Sequence, residues 1–184
     1  MRPVHDAGAM KFSALLVLLV TVGCGGDDAP PPMIDANTDV KVYVVRHAET
    51  GSTATDPSLD ATGQARAQAL ATLLADKNIG AAFSSQYART RETATPTATA
   101  AGITVTALSV TSANAATYGM QLVTAVKDAK VQGALIVGHS NTVPDTVKAF
   151  TGMTVNAISE SEFDRIYTIT IATDGAHLEE GRYP

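Results

Sequence analysis

Cysteine is almost absent: Cys24 is the only one in 184 residues. That excludes an internal disulfide framework and any multi-cysteine zinc site, so the core must hold by burial alone. Basic charge is also scarce. Thirteen lysines and arginines against 18 acidic residues leave a net charge of -5, with no cationic block. A broad face for nucleic acid is therefore excluded, and any anion must be bound locally. Long apolar runs are missing too, because the one stretch of that kind, residues 12–22, is too short to span a bilayer as a mature helix. What the chain does have is 45% hydrophobic residues, enough to bury a core, and a length that fits one domain once a tail is set aside.

That tail is at the amino end. Residues 1–9 carry no structural pattern, and Met10 offers an alternative start. Met10-Lys11-Phe12 and the apolar residues 13–22 read as a signal peptide over residues 1–23. Thr21-Val22-Gly23-Cys24 resembles the bacterial lipoprotein box, with Thr21 where leucine is usual, which implies a lipidated Cys24 as the first mature residue. The acidic and proline-rich remainder of residues 24–38 reads as a flexible linker ahead of a domain over residues 39–184. The expectation is an exported protein, lipid-anchored to a bacterial cell-envelope membrane, with its domain in the periplasm or outside.

Within the domain, Val40, Val42, Tyr43, Val44 and Val45 form a β-branched and aromatic run, as expected of a parallel strand covered on both faces. Asp60 or Thr62 can cap a helix running to about Lys77 and closed by Gly80. A short strand over residues 81–84 precedes a helix kinked near Pro96. Residues 103–108 and 134–137 read as strands, residues 118–130 and 143–150 as helices, and residues 166–172 as a strand turning at Asp174-Gly175 into another. The order β-α-β-α-β-α-β-α-β-β predicts an α/β fold, a three-layer α/β/α sandwich with a mostly parallel central sheet.

Three candidate strands end in chemistry. The first delivers Arg46-His47-Ala48-Glu49-Thr50, the second is followed by Arg89, and the fourth ends in Gly138-His139-Ser140. Strands of such sheets open at their carboxyl ends onto the ligand crevice. Phosphoryl transfer needs an in-line nucleophile and positive donors around three oxygens. Two imidazoles and two guanidiniums meet that need, each charge-assisted hydrogen bond contributing roughly 1.5–3 kcal/mol. Unpaired charges near a core cost several kcal/mol, so four such residues at strand ends are hard to explain as separate accidents.

Arg46-His47-Ala48-Glu49-Thr50, Ser85-Gln86-Tyr87-Ala88-Arg89 and Gly138-His139 together resemble the signature of the histidine phosphatase superfamily, in particular its small phosphohistidine phosphatase-like members. The resemblance implies a metal- and cofactor-independent phosphatase acting on a phosphomonoester or phosphohistidine in a small molecule or phosphoprotein. It implies His47 as the nucleophile that becomes phosphohistidine, His139 as the second histidine, and Arg46 and Arg89 as phosphate-binding arginines. Two positions depart from the pattern. Ala48 replaces a frequent glycine, and residues 109–120 lack the acid that many relatives place there. Glu49 is the nearest candidate general acid, while Glu160, Glu162 and Asp164 read as a solvated turn.

Other readings compete. Residues 135–142 resemble the nucleophile elbow of α/β-hydrolases, with Ser140 as nucleophile and Asp164 or Asp174 and then His177 following in order. A non-catalytic exported phosphate-binding protein is a further alternative. His47-Ala48-Glu49 echoes a zinc deaminase motif, but its paired cysteines are absent.

Overall fold

The computed structural model describes residues 39–52 and 54–184. The signal peptide, Cys24 and the linker lie outside the described residues. The elements are β1 (Val40–Arg46), α1 (Ala61–Leu73), β2 (Ile79–Ser84), α2 (Ala88–Ala100), β3 (Val105–Ala107), a 3-10 turn at Ala115–Thr117, α3 (Tyr118–Ala129), β4 (Gly133–Gly138), α4 (Thr142–Thr151), β5 (Arg165–Ala172) and β6 (Gly175–Arg182).

They build one six-stranded sheet in the order β3-β2-β4-β1-β5-β6. β1, β2, β3 and β4 run parallel, while β5 pairs antiparallel with both β1 and β6. Side chains on a strand alternate between faces, and β1 shows what that does here. Val42 and Val44 pack with Leu122, Val126, Val143 and Val147 of α3 and α4. Tyr43 and Val45 pack instead with Leu70, Ala94 and Ala98 of α1 and α2. The expected three-layer sandwich is therefore present, and β1 runs through its interior, buried at every position except Lys41.

The differences from the sequence reading are local. Asp60, rather than Thr62, caps α1, accepting the Gly63 N–H at 2.8 Å. The helix stops at Leu73, short of Lys77. Gly80 does not close it but lies inside β2, beside a register shift, where an added Cβ would approach Val131. Among the described residues, no helix is long and apolar enough to cross a membrane.

Candidate active site

Because β1 and β4 are paired in register from Lys41↔Gly133 to Arg46↔Gly138, their last residues release His47 and His139 side by side. The His47 N–H donates to the Gly138 carbonyl at 2.9 Å, stitching the two exits together. The imidazole centroids lie 5.3 Å apart at an edge-on angle of 65°. α2 begins just beyond β2 and brings Arg89, whose Nη2 donates to His139 Nδ1 at 3.4 Å. A cavity of about 470 Å3 opens here, with His47, Arg89 and His139 in its wall beside Tyr87, Ser140 and Glu160.

Hydrogen bonds fix both tautomers. His47 Nδ1 lies 2.9 Å from the Ala48 carbonyl, which can only accept, so Nδ1 carries the proton and Nε2 keeps its lone pair. His139 is set the other way. Arg89 can only donate to its Nδ1, so Nε2 holds the proton and donates to Ser85 Oγ at 2.8 Å. Ser85 in turn reaches Thr90 Oγ1 at 2.8 Å, and Thr90 donates to the Tyr87 carbonyl. Thr93 secures the neighbouring turn: its Oγ1 accepts the Ala48 N–H at 3.0 Å and donates to the Arg89 carbonyl at 2.8 Å.

The electrostatics keep both rings neutral. Burial, reinforced by Arg46 and Arg89 and opposed by the bond to Ala48, lowers the His47 pKa to about 4. Burial, then Arg89, His47 and Arg46, lower that of His139 to about 3. A neutral imidazole is the form that can attack phosphorus.

Arg46 occupies a different position from the other three. It is 4% exposed and is not part of the cavity wall. Its Nη1 donates to the carbonyls of Ser159 and Glu162, its Nη2 donates to Glu160 Oε2 at 2.9 Å, and the Phe163 ring lies 4.1 Å from the guanidinium carbon. Its Nε is buried without a partner.

Two sequence expectations are corrected. Glu49 does not reach the cavity as a candidate acid. Both its oxygens are held by Arg66 at 2.7–2.9 Å, in a separate recess with Tyr183. Burial acts to raise the Glu49 pKa, but the Arg66 hydrogen bonds outweigh it and hold the carboxyl below its ordinary value. The acidic turn is not merely solvated either. Glu162 pairs with Arg165 and Arg182, Asp164 with Arg182, and Glu160 links Arg46 to the Ser140 hydroxyl, which donates to it at 2.7 Å.

The hydrolase triad is not assembled. Ser140 follows β4 at the carboxyl edge of the sheet, whereas the β5-β6 turn carrying Asp174 lies beyond the Val40↔Ile171 pair, at the opposite edge. His177 bonds to Asp174 there, at 2.9 Å, and Asp164 is committed to Arg182. Sequence reasoning missed Ser85, Thr90, Thr93 and Glu160. For the first three, the only available signal was their clustering around Arg89.

Fold and site thus define a class: an α/β domain with a neutral histidine pair and an arginine around a crevice at the carboxyl edge of its sheet. The family model of the histidine phosphatase superfamily (branch 1) matches residues 42–109, which hold Arg46, His47 and Arg89. That segment of the chain is similar to the histidine phosphatase superfamily. A search of the curated proteins finds no match.

Several solved structures share the fold. A protein described as the phosphohistidine phosphatase SixA of Agrobacterium tumefaciens is 23% identical, with TM-score 0.56, covering 77% of this chain and 97% of that one. The protein histidine phosphatase SixA complexed with tungstate is 15% identical, with TM-score 0.61, covering 78% and 97%. One described as an alpha-ribazole-5'-P phosphatase of Escherichia coli is 15% identical, with TM-score 0.62, covering 80% and 97%. At these identities the likeness is one of fold.

Proposed function

We propose that the domain hydrolyses a phosphomonoester or a phosphohistidine through a covalent phosphohistidine on His47. The observation that carries this reading is the His47 tautomer: Nδ1 is spent on the Ala48 carbonyl, which leaves Nε2 as the nucleophilic nitrogen in the cavity wall. Nε2 attacks phosphorus while the bond to the leaving atom breaks, an oxygen in a phosphomonoester or an imidazole nitrogen in a phosphohistidine, and water then cleaves the new P–N bond, releasing phosphate and returning the electron pair to Nε2. Arg89 supplies a fork for the phosphoryl oxygens. His139 becomes a donor to them once a nearby dianion favours its protonation. The tungstate bound by one fold neighbour is the kind of tetrahedral oxyanion such a centre would accept.

The test is hydrolysis of para-nitrophenyl phosphate by wild type and His47→Ala, with acid-labile phosphate trapped on the protein. Activity and label in wild type, both lost in the variant and both surviving chelation, are the expected result. Inhibition by vanadate or tungstate should accompany them. Phosphate binding without turnover would instead favour the non-catalytic reading. The exported, lipid-anchored placement through Cys24 belongs to the same proposal and rests on residues 10–24. Loss of membrane association in Cys24→Ala is its check.

A further inference from the structure

Building on the phosphatase reading, we propose that Glu160 is the proton donor to the leaving group, released for that task when the incoming phosphoryl group displaces its carboxylate from Arg46. Three observations meet at this residue. Glu160 stands in the wall of the cavity that holds His47, Arg89 and His139. Its Oε2 accepts from Arg46 Nη2 at 2.9 Å, and its Oε1 accepts from the Ser140 hydroxyl at 2.7 Å. Its side chain is 83% exposed, so it can move without unpacking anything. The segment after β3, Val110, Thr111, Ser112 and Ala115, also lines the cavity but offers no carboxyl group. The cavity's other carboxylate, Asp145 in the first turn of α4, makes no hydrogen bond to either arginine or either histidine.

The Glu160 carboxylate is an anion bonded to an arginine at the edge of the reaction cavity, and a phosphoryl oxygen in its place would meet the same Nη2. Exchange of the two anions changes the surroundings of Glu160 in one direction. At rest, the Ser140 hydrogen bond and the Arg46 charge hold its pKa below the ordinary value. With a dianion on Arg46, the cation is shared and a negative charge is added, so the carboxyl takes up a proton while Ser140 keeps it at the rim. The groups facing it are then Arg46 and His47 from the end of β1, Ser140 and His139 from the end of β4, Arg89 on α2 and Asp145 on α4. When His47 Nε2 forms its bond to phosphorus, the electron pair of the breaking P–O bond goes to the leaving oxygen, which takes the Glu160 proton. In the second half, the carboxylate takes a proton from the attacking water as the P–N bond breaks.

The experiment compares full-chain wild type with Glu160→Gln and Glu160→Ala on ethyl phosphate, a poor leaving group, and on para-nitrophenyl phosphate, a good one. A positioned acid is worth about 100-fold or more on the former, so both variants should lose at least that in kcat with ethyl phosphate and about threefold or less with para-nitrophenyl phosphate. The alkaline fall of kcat with ethyl phosphate should also vanish in both variants. Equal losses on the two substrates would reduce Glu160 to a support for Arg46 and overturn the proposal. So would an unchanged rate on ethyl phosphate, or a wild type that hydrolyses only para-nitrophenyl phosphate. A wild type inactive on both substrates, with no phosphate label on His47, would refute the phosphatase reading itself and the inference with it.

Discussion

Ser85→Ala removes a single oxygen from a fully buried position, and the structure says what that oxygen holds. Among the described residues, Ser85 Oγ is the only partner of His139 Nε2, at 2.8 Å, while Arg89 occupies Nδ1. Without it the Nε2 proton is a buried donor with nothing to bond, which costs about 1–3 kcal/mol. Moving the proton to Nδ1 offers no escape, since two donors would then face each other across the contact with Arg89. The variant should therefore lose about 1–3 kcal/mol of stability in urea unfolding. Where the ring turns instead to find a partner, kcat/KM should fall about five- to 140-fold on para-nitrophenyl phosphate, at about 1.4 kcal/mol per factor of ten. A Ser85→Ala protein that matches wild type in both unfolding midpoint and kcat/KM would refute the claim that this hydroxyl orients the second histidine.

Acidity offers a second check. The folded-state pKa values of His47 and His139, about 4 and about 3, lie below that of an unfolded histidine, so acidification from about pH 6.5 protonates the unfolded chain first. Stability should therefore fall as pH drops toward 4, with a shallower slope in His47→Gln than in wild type; urea midpoints across that range measure it, and an unchanged slope contradicts the assignment. Glu49→Gln should cost about 1 kcal/mol of stability by weakening the Arg66 pair, while kcat and its pH profile stay at wild-type values. A lost alkaline limb in that variant would restore Glu49 as the acid. Gly63→Ala should do both kinds of damage, because a Cβ at Gly63 runs into the backbone carbonyl of Glu49, two residues from the nucleophile. A lowered unfolding midpoint together with a lowered kcat is the expected signature, and wild-type kcat in the folded variant would separate that turn from catalysis.

Much of this was legible in the chain because the fold is written in short-range patterns. The β1 run, the amphipathic face of α3 and the Asp174-Gly175 turn each specify their element with local residues alone. The convergence of His47 and His139 could be anticipated for a related reason: parallel neighbours in a sheet release their following residues at the same edge. The polar supports could not. Ser85 looks like an ordinary residue ahead of a helix and Thr93 like one within it, and only the packing of α2 against the two strand ends turns their hydroxyls toward a histidine and a backbone N–H. Arg46 could be named but not placed, since the groups that cover it come from residues 159–163. Glu160 was misread because a run of acidic residues near a strand start usually faces water. Its role depends on an arginine 114 residues away.

That pairing bears on how the site can be both stable when empty and responsive when filled. A buried Arg46 without an anion would be costly, and Glu160 meets that need at the edge of the cavity. Yet the carboxylate is largely exposed, and ion pairs with an exposed partner contribute only about 0–1 kcal/mol. A phosphoryl group brings several charge-assisted hydrogen bonds from Arg46, Arg89 and His139, each worth roughly 1.5–3 kcal/mol. The exchange therefore favours phosphate, and it leaves behind a carboxyl group newly deprived of its cation beside the reacting bond. An acid buried in the same place would resist displacement, and one farther out would lose contact with Arg46. The exposure that made Glu160 look idle in the sequence is what lets it leave the arginine.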